Sequence, residues 1–305
     1  MGDDSWLRSA IGKTTPDTIT VRGRNLATEL MGHVTFTELA FFLTAARMPS
    51  PGETRLFDAA LVALADHGLT PSVLAARLTW TGATESLQGA VAAGLLGAGN
   101  VFLGVVEDTA RFLAAILADT DTDAEPEAEA AAGTAADREA GPGTAADREA
   151  GPGTESEAGA TAGADGPAAS GGRRDGDEPA AAERAVRAAV TEGRRIPGLG
   201  HPVHKAEDPR TPRLYAIAAE AGIPIPHLTL LRTVAEVHAA ATGKALPING
   251  AGVAGAAFAD LGFPPAIVRG FALLARTAGL VGHLAEEMEQ PIGRQLWLDV
   301  EQRAT

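Results

Sequence analysis

The chain has 305 residues, no cysteine, 45% hydrophobic but only 4% aromatic residues, and a formal net charge of −14. Without cysteine there are no disulfides, thiolate metal sites or cysteine nucleophiles, and the scarcity of rings leaves alanine, leucine and valine to fill a core of closely approaching helices. The charge is local: residues 121–180 carry 15 acids and 4 arginines, −11 of the −14, and leave −3 to the rest. No compensating basic patch appears, so nucleic acid is not an expected partner.

In chain order, the N-terminus "MGDDSWLRSAIGKTTPD" lacks a basic start followed by an apolar run. No uninterrupted stretch of about 18 apolar residues follows, so the expectation is a soluble cytoplasmic protein with no membrane partner. "TITVRG" is the longest alternating stretch. Thr35 and Glu38 then form a capping-box pattern ahead of "TFTELAFFLTAARM". "PGETRLFDAALVALADHGL" places Leu56, Ala60, Leu61 and Leu64 at helical spacing and stops at Gly68. Its last turn holds Asp66–His67, where the helix dipole alone favours a histidine. "ESLQGAVAAGLLGAG" is a further helix rich in small residues.

Residues 121–180 contain almost no large apolar side chain, and "GTAADREAGP" occurs twice in tandem, at 133–142 and 143–152. Such a segment cannot bury enough surface to offset chain entropy, which predicts a disordered insertion. Helical patterns resume with "EPAAAERAVRAAVTEG", "TPRLYAIAAEAG", "HLTLLRTVAEVHAAATG" and "PPAIVRGFALLARTAGLVGHLAEEM". The predicted architecture is all-α, in two packed helical layers.

Two stretches hold more polar chemistry than packing requires. "IPGLGHPVHKAEDPR" brings Gly198, Gly200, His201, His204, Lys205 and Arg210 together. His201 and His204 are three apart with no third ligand evident nearby, so no metal is expected. "LPINGAG" lets backbone approach a ligand at Asn249 and Gly250, but it has neither the phosphate-loop lysine nor dinucleotide spacing. On the last long helix Arg269, Arg276 and His283 recur every seven residues and so form one line, drifting about 20° per heptad. The plain reading is a polar surface stripe; the sharper one puts Arg276 in a pocket wall, holding a carboxylate through its planar fork.

Taken in order, "VRGRNLATELMGHVTFTELAFFLTAARMPSPGE", "LADHGLTPS", "GLGHPVHKAEDPR", "FALLARTAGLVGHLAEE" and "PIGRQLW" resemble the citrate synthase family, and in particular its short citryl-CoA lyase-type members. The resemblance implies a large helical domain from residues 1–110 and 246–305. It implies a smaller helical domain over 111–245 that carries the acidic insertion. It also implies a Claisen or retro-Claisen enzyme that forms or cleaves the bond between acetyl-CoA and oxaloacetate, acting as a homodimer. No cofactor is expected, coenzyme A thioester being substrate. His67, Arg210 and Arg276 would contact the carboxylates. His201 would be catalytic, polarising the ketone oxygen or, in cleavage, taking the hydroxyl proton. Gly198, Gly200, Lys205, Asn249 and Gly250 would lie along coenzyme A.

The chain departs from that family at two reacting positions. "GNVFLGVVE" stands where the family has a histidine in "GPLHG", which puts Phe102 there. The family's aspartate base in "PNVD" falls on Asn249, Gly250 or Ala251, none of which accepts a proton from carbon. Asp260 lies about two and a half turns further along. An enolate would then rely on backbone N–H groups near Gly250–Gly252. The alternative is a relative that binds a polycarboxylate or coenzyme A in a regulatory or partner role without turnover.

Overall fold

Capping chemistry sets where the helices begin. In a computed structural model that describes residues 9–122 and 178–304, Thr35 accepts from the N–H of Glu38 at 3.2 Å. Glu38 accepts in return from the N–H of Thr35 at 2.7 Å, and α1 (Phe36–Ala45) follows. Ser50 and Glu53 repeat the device before α2 (Pro51–Ala65). Thr70 caps α3 (Pro71–Gly82), and Ser86 caps α4 (Leu87–Leu96). Next come α5 (Val105–Thr122), α6 (Glu178–Thr191), α7 (Arg210–Ala221) and α8 (Pro226–Thr242). The chain closes with α9 (Gly250–Asp260), α10 (Pro265–Glu289) and α11 (Gly293–Ala304).

The all-α expectation holds apart from one small antiparallel sheet: β1 (Gly12–Thr14), β2 (Ile19–Val21) and β3 (Arg24–Asn25), with Gly12 opposite Val21 and Thr20 opposite Asn25. Two wide helical turns, Leu26–Leu30 and Gly99–Gly104, close through i→i+5 bonds from Met31 N–H to Leu26 and from Leu103 N–H to Ala98. The acidic insertion expected at 121–180 lies outside the described residues except at its ends, where Asp121 and Thr122 close α5 and Glu178 opens α6. The boundary expected after residue 110 falls inside α5, and the one after 245 falls in the loop before α9.

The core is more aromatic than composition suggests, because the few rings are pooled. Phe41, Phe57, Phe258, Phe263 and Phe271 form one cluster, with centroids 4.6–5.6 Å apart and mostly edge-to-face geometry. Around it α5 packs on α9, and α2 packs on α7, α9 and α10. By length and hydropathy α10 matches a bilayer span, yet Val268, Phe271, Leu280 and Leu284 are buried inside this fold. At Gly279 α10 passes so close to the end of α2 that a Cβ would collide with the Ala65 carbonyl oxygen. That crossing sets Arg276, three residues before it, and His283, four residues after, beside the last turn of α2.

Candidate functional site

The polar loop is fastened to the chain before α9. Leu199 bridges Ile248, Gly200 N–H donates to the Pro247 carbonyl at 2.7 Å, and Asn249 N–H donates to the Gly198 carbonyl at 2.9 Å. Gly198 and Gly200 adopt φ of 84° and 81°, which a side chain resists. The Asn249 side chain is spent at both ends. Its Nδ2 donates to the Gly200 carbonyl at 2.8 Å, and its Oδ1 caps α9 by accepting from Gly252 N–H at 2.8 Å. Gly198 and Asn249, expected along coenzyme A, are scaffold braces in this geometry.

The loop thereby carries His201 and His204 to His67 at the end of α2. Ring centroids are 5.1 Å apart for His67–His201, 5.5 Å for His67–His204 and 4.5 Å for His201–His204, the last pair stacked. The third histidine that chain spacing did not reveal is therefore His67, 134 positions earlier than His201, and one ring nitrogen of each lies within 4.8 Å of the others. The trio does not fit a metal well. Nδ1 of His201 accepts from the N–H groups of Val203 at 3.1 Å and His204 at 3.0 Å. The proton of the neutral ring therefore sits on Nε2, and neither nitrogen offers a free lone pair. Burial lowers the His201 pKa, opposed by Asp208 and reinforced by His204, His67 and Arg210. His201 is thus a neutral ring that presents an Nε2–H donor, which corrects the expectation that it takes a hydroxyl proton.

Arg210, the first residue of α7, is held rather than free. Its Nε and Nη2 donate to Asp208 at 2.9 and 2.7 Å, and its Nη1 donates to the Ala63 carbonyl at 3.2 Å. Asp208 also accepts from the N–H groups of Arg210 at 3.1 Å and Gly250 at 2.7 Å. Burial opposes the charge of this carboxylate, but those bonds outweigh it and hold its pKa well below the usual range. The Arg210 guanidinium lies against Gly250, where a Cβ would meet it. A side chain at position 250 would require the end of Arg210 to shift. The N–H groups of Gly250 and Gly252, expected to stabilise an enolate, are already bonded to Asp208 and Asn249.

Arg276 is the opposite case. It is 6% exposed, and its Nε and Nη1 have no hydrogen-bond partner among the described residues. Burial lowers its pKa, offset by Asp66 and reinforced by Arg210. A buried, unsatisfied guanidinium costs stability unless an anion meets it. The line along α10 is therefore no surface stripe. Arg269 donates to Asn100 Oδ1 at 2.8 Å, Arg276 waits in the interior, and His283 Nε2 lies 2.8 Å from Asp66 Oδ1. Arg77, 2% exposed, adds a device that chain spacing does not disclose. It donates to His283 Nδ1 at 3.0 Å, to Glu287 at 2.8 Å and to Glu286. Because Arg77 only donates, His283 Nδ1 accepts and its Nε2–H points to Asp66, the neighbour of His67.

Phe102 is 42% exposed in the turn before α5. Asp260 is no base for this site: it accepts from the N–H groups of His227 at 2.7 Å and Leu228 at 3.0 Å at the start of α8. Lys205 is exposed, with Nζ donating to the His201 carbonyl at 3.1 Å. Beside it an open cavity of about 450 Å³ is bounded by Ala206, Glu207, Tyr215, Arg232 and Leu246–Ile248.

Residues 166–296 match the family model described as the citrate synthase C-terminal domain. The chain superposes on citryl-CoA lyase from Hydrogenobacter thermophilus with a TM-score of 0.67 and 26% identity, covering 93% of this chain and 87% of that one. The fold is citrate synthase-like. ATP citrate lyase from Methanothrix soehngenii, solved with citrate and coenzyme A, shares that fold at a TM-score of 0.63 and 19% identity. The match there covers 92% of this chain but 39% of the lyase. Citrate synthase from Thermoplasma acidophilum, solved with carboxymethyl coenzyme A and oxaloacetate, gives 0.54 and 17%, covering 84% and 54%. No curated protein sequence matches the chain. The resemblance read from five short motifs thus holds across the described helices, with a citryl-CoA lyase among the matches.

Proposed function

We propose that the protein is a citrate synthase-type enzyme of acyl-CoA thioesters that acts on a polycarboxylate and cleaves a citryl-CoA-like substrate. The observation that carries the reading is Arg276, a buried guanidinium with two unpartnered atoms in a fold whose relatives include a citryl-CoA lyase. A substrate carboxylate supplies the missing acceptors, and the neutral His201 donates to the oxygen where charge develops. Lys205 and the cavity beside Leu246–Ile248 suit the phosphates and the arm of coenzyme A.

The reacting positions bear on the proton transfer at carbon. Synthesis requires a base that removes a proton from the methyl carbon of acetyl-CoA, and none of Asn249, Gly250 and Ala251 is one. Cleavage is the reverse over the same transition state: the carbon gains a proton, which water supplies, and the substrates present set the net direction. The same two departures, Phe102 and Gly250, favour the second reading, a relative that binds carboxylate or coenzyme A without turnover. Purified protein given citryl-CoA should release a keto acid, while acetyl-CoA plus oxaloacetate should give little free thiol. Calorimetric citrate binding with no turnover in either direction would establish the second reading and reject the first.

A further inference from the structure

His204 has no role in the mechanism above, although its ring is the one most tightly associated with His201. The two rings stack at 4.5 Å with planes 27° apart, and the His204 N–H that bonds His201 Nδ1 ties them into one unit. Among the described residues neither His204 nor His67 has a hydrogen-bond partner on a ring nitrogen. One nitrogen of each ring lies within 4.8 Å of the others, which leaves room between the three rings for a single ligand oxygen. The free group that His201 offers is a donor. The oxygen that best uses the cluster therefore accepts from His201 and donates to a lone pair on its stacked neighbour. A hydroxyl does both, whereas a ketone oxygen only accepts.

We propose that His204 is a catalytic residue, the base that takes the hydroxyl proton of a β-hydroxyacyl thioester while His201 holds the same oxygen. This rests on the cleavage reading above. The O–H bond breaks and its proton passes to a ring nitrogen of His204. The oxygen's electron pair becomes the carbonyl π bond, and the carbon–carbon pair moves to the thioester α-carbon. That enolate takes a proton from water, and the hydroxide left behind removes the proton from His204, so nothing is oxidised or reduced. The charged and titratable groups around the cluster are Asp66 and His67 after α2, Lys205 next in the chain, Asp208 and Arg210 at the head of α7, and Arg276 from α10.

The test follows citryl-CoA cleavage by wild type, His204→Asn and His204→Gly between pH 5 and 9, alongside citrate binding and melting of each variant. His204 is partly exposed with no side-chain bond, so the variants should melt as wild type does. His204→Asn should lower kcat about a hundredfold or more, keep citrate affinity within about threefold, and remove the acid limb of the pH–kcat profile. Free imidazole should restore turnover to His204→Gly, which a structural role does not predict. An active wild type with unchanged kcat and acid limb in His204→Asn overturns the assignment alone. A wild type that binds citrate but never cleaves the thioester overturns both this assignment and the cleavage reading.

Discussion

Arg276 is where the fold gives up stability for binding. Its charge is disfavoured by burial, and two of its nitrogens lack partners, so without ligand the native state carries a cost the unfolded chain does not. Arg276→Met fills similar volume without that cost. We expect the unliganded variant to gain about 1–3 kcal/mol, which raises Tm by about 2–5 °C in a chain of this size. Citrate affinity should fall about a hundredfold, since one partner of a desolvated ion pair is gone. Scanning calorimetry with and without citrate measures both. A lower Tm with citrate affinity retained would show that Arg276 is a structural cation whose partners lie elsewhere.

At the scale of elements, α10 delivers the site and a buried network holds α10 in place. The seven-residue spacing of Arg269, Arg276 and His283 was legible in the sequence, but their surroundings were not. Burial of Arg276 depends on α2 crossing at Gly279, and the partners of His283 come from Asp66 and Arg77, about 200 residues away in the chain. The same holds for the three histidines, which only the pairing of residues 198–200 with 247–249 brings together. Helix ends were legible because caps are local: Thr35 with Glu38, Gly222 and Gly243 all act where spacing puts them. The sequence pattern does not mark α3, α5 or α11 as helices. Glu287, 2% exposed, joins this network by accepting from Arg77 and from the N–H groups of Ile292 and Gly293 at the head of α11. Glu287→Gln removes the buried one of the two carboxylates that Arg77 meets and should cost about 3 kcal/mol in urea denaturation. A loss below about 1 kcal/mol would mean that Glu286 alone satisfies Arg77.

Across the whole molecule, the site lies where helix ends converge: the end of α2 and the starts of α7 and α9. Two N-terminal dipoles make a strongly positive place, and the chain fills it with its own anion, Asp208. That choice explains why Arg210 faces inward against Gly250 and why a substrate carboxylate is left to Arg276. It also gives the fold an acid sensitivity with a definite sign. The Asp208 pKa is depressed in the folded state, so its contribution is fully present above the unfolded value near 3.9 and is lost as pH falls through the folded one. Asp208→Asn should therefore cost about 3 kcal/mol at pH 7, as expected when one member of a buried ion pair is removed. Between pH 4 and pH 2 wild-type stability should drop towards that of the variant, so the two denaturation midpoints converge. A gap that stays constant from pH 7 to pH 2 would show that Asp208 acts through its shape and hydrogen bonds, with its charge contributing nothing to the join between α7 and α9.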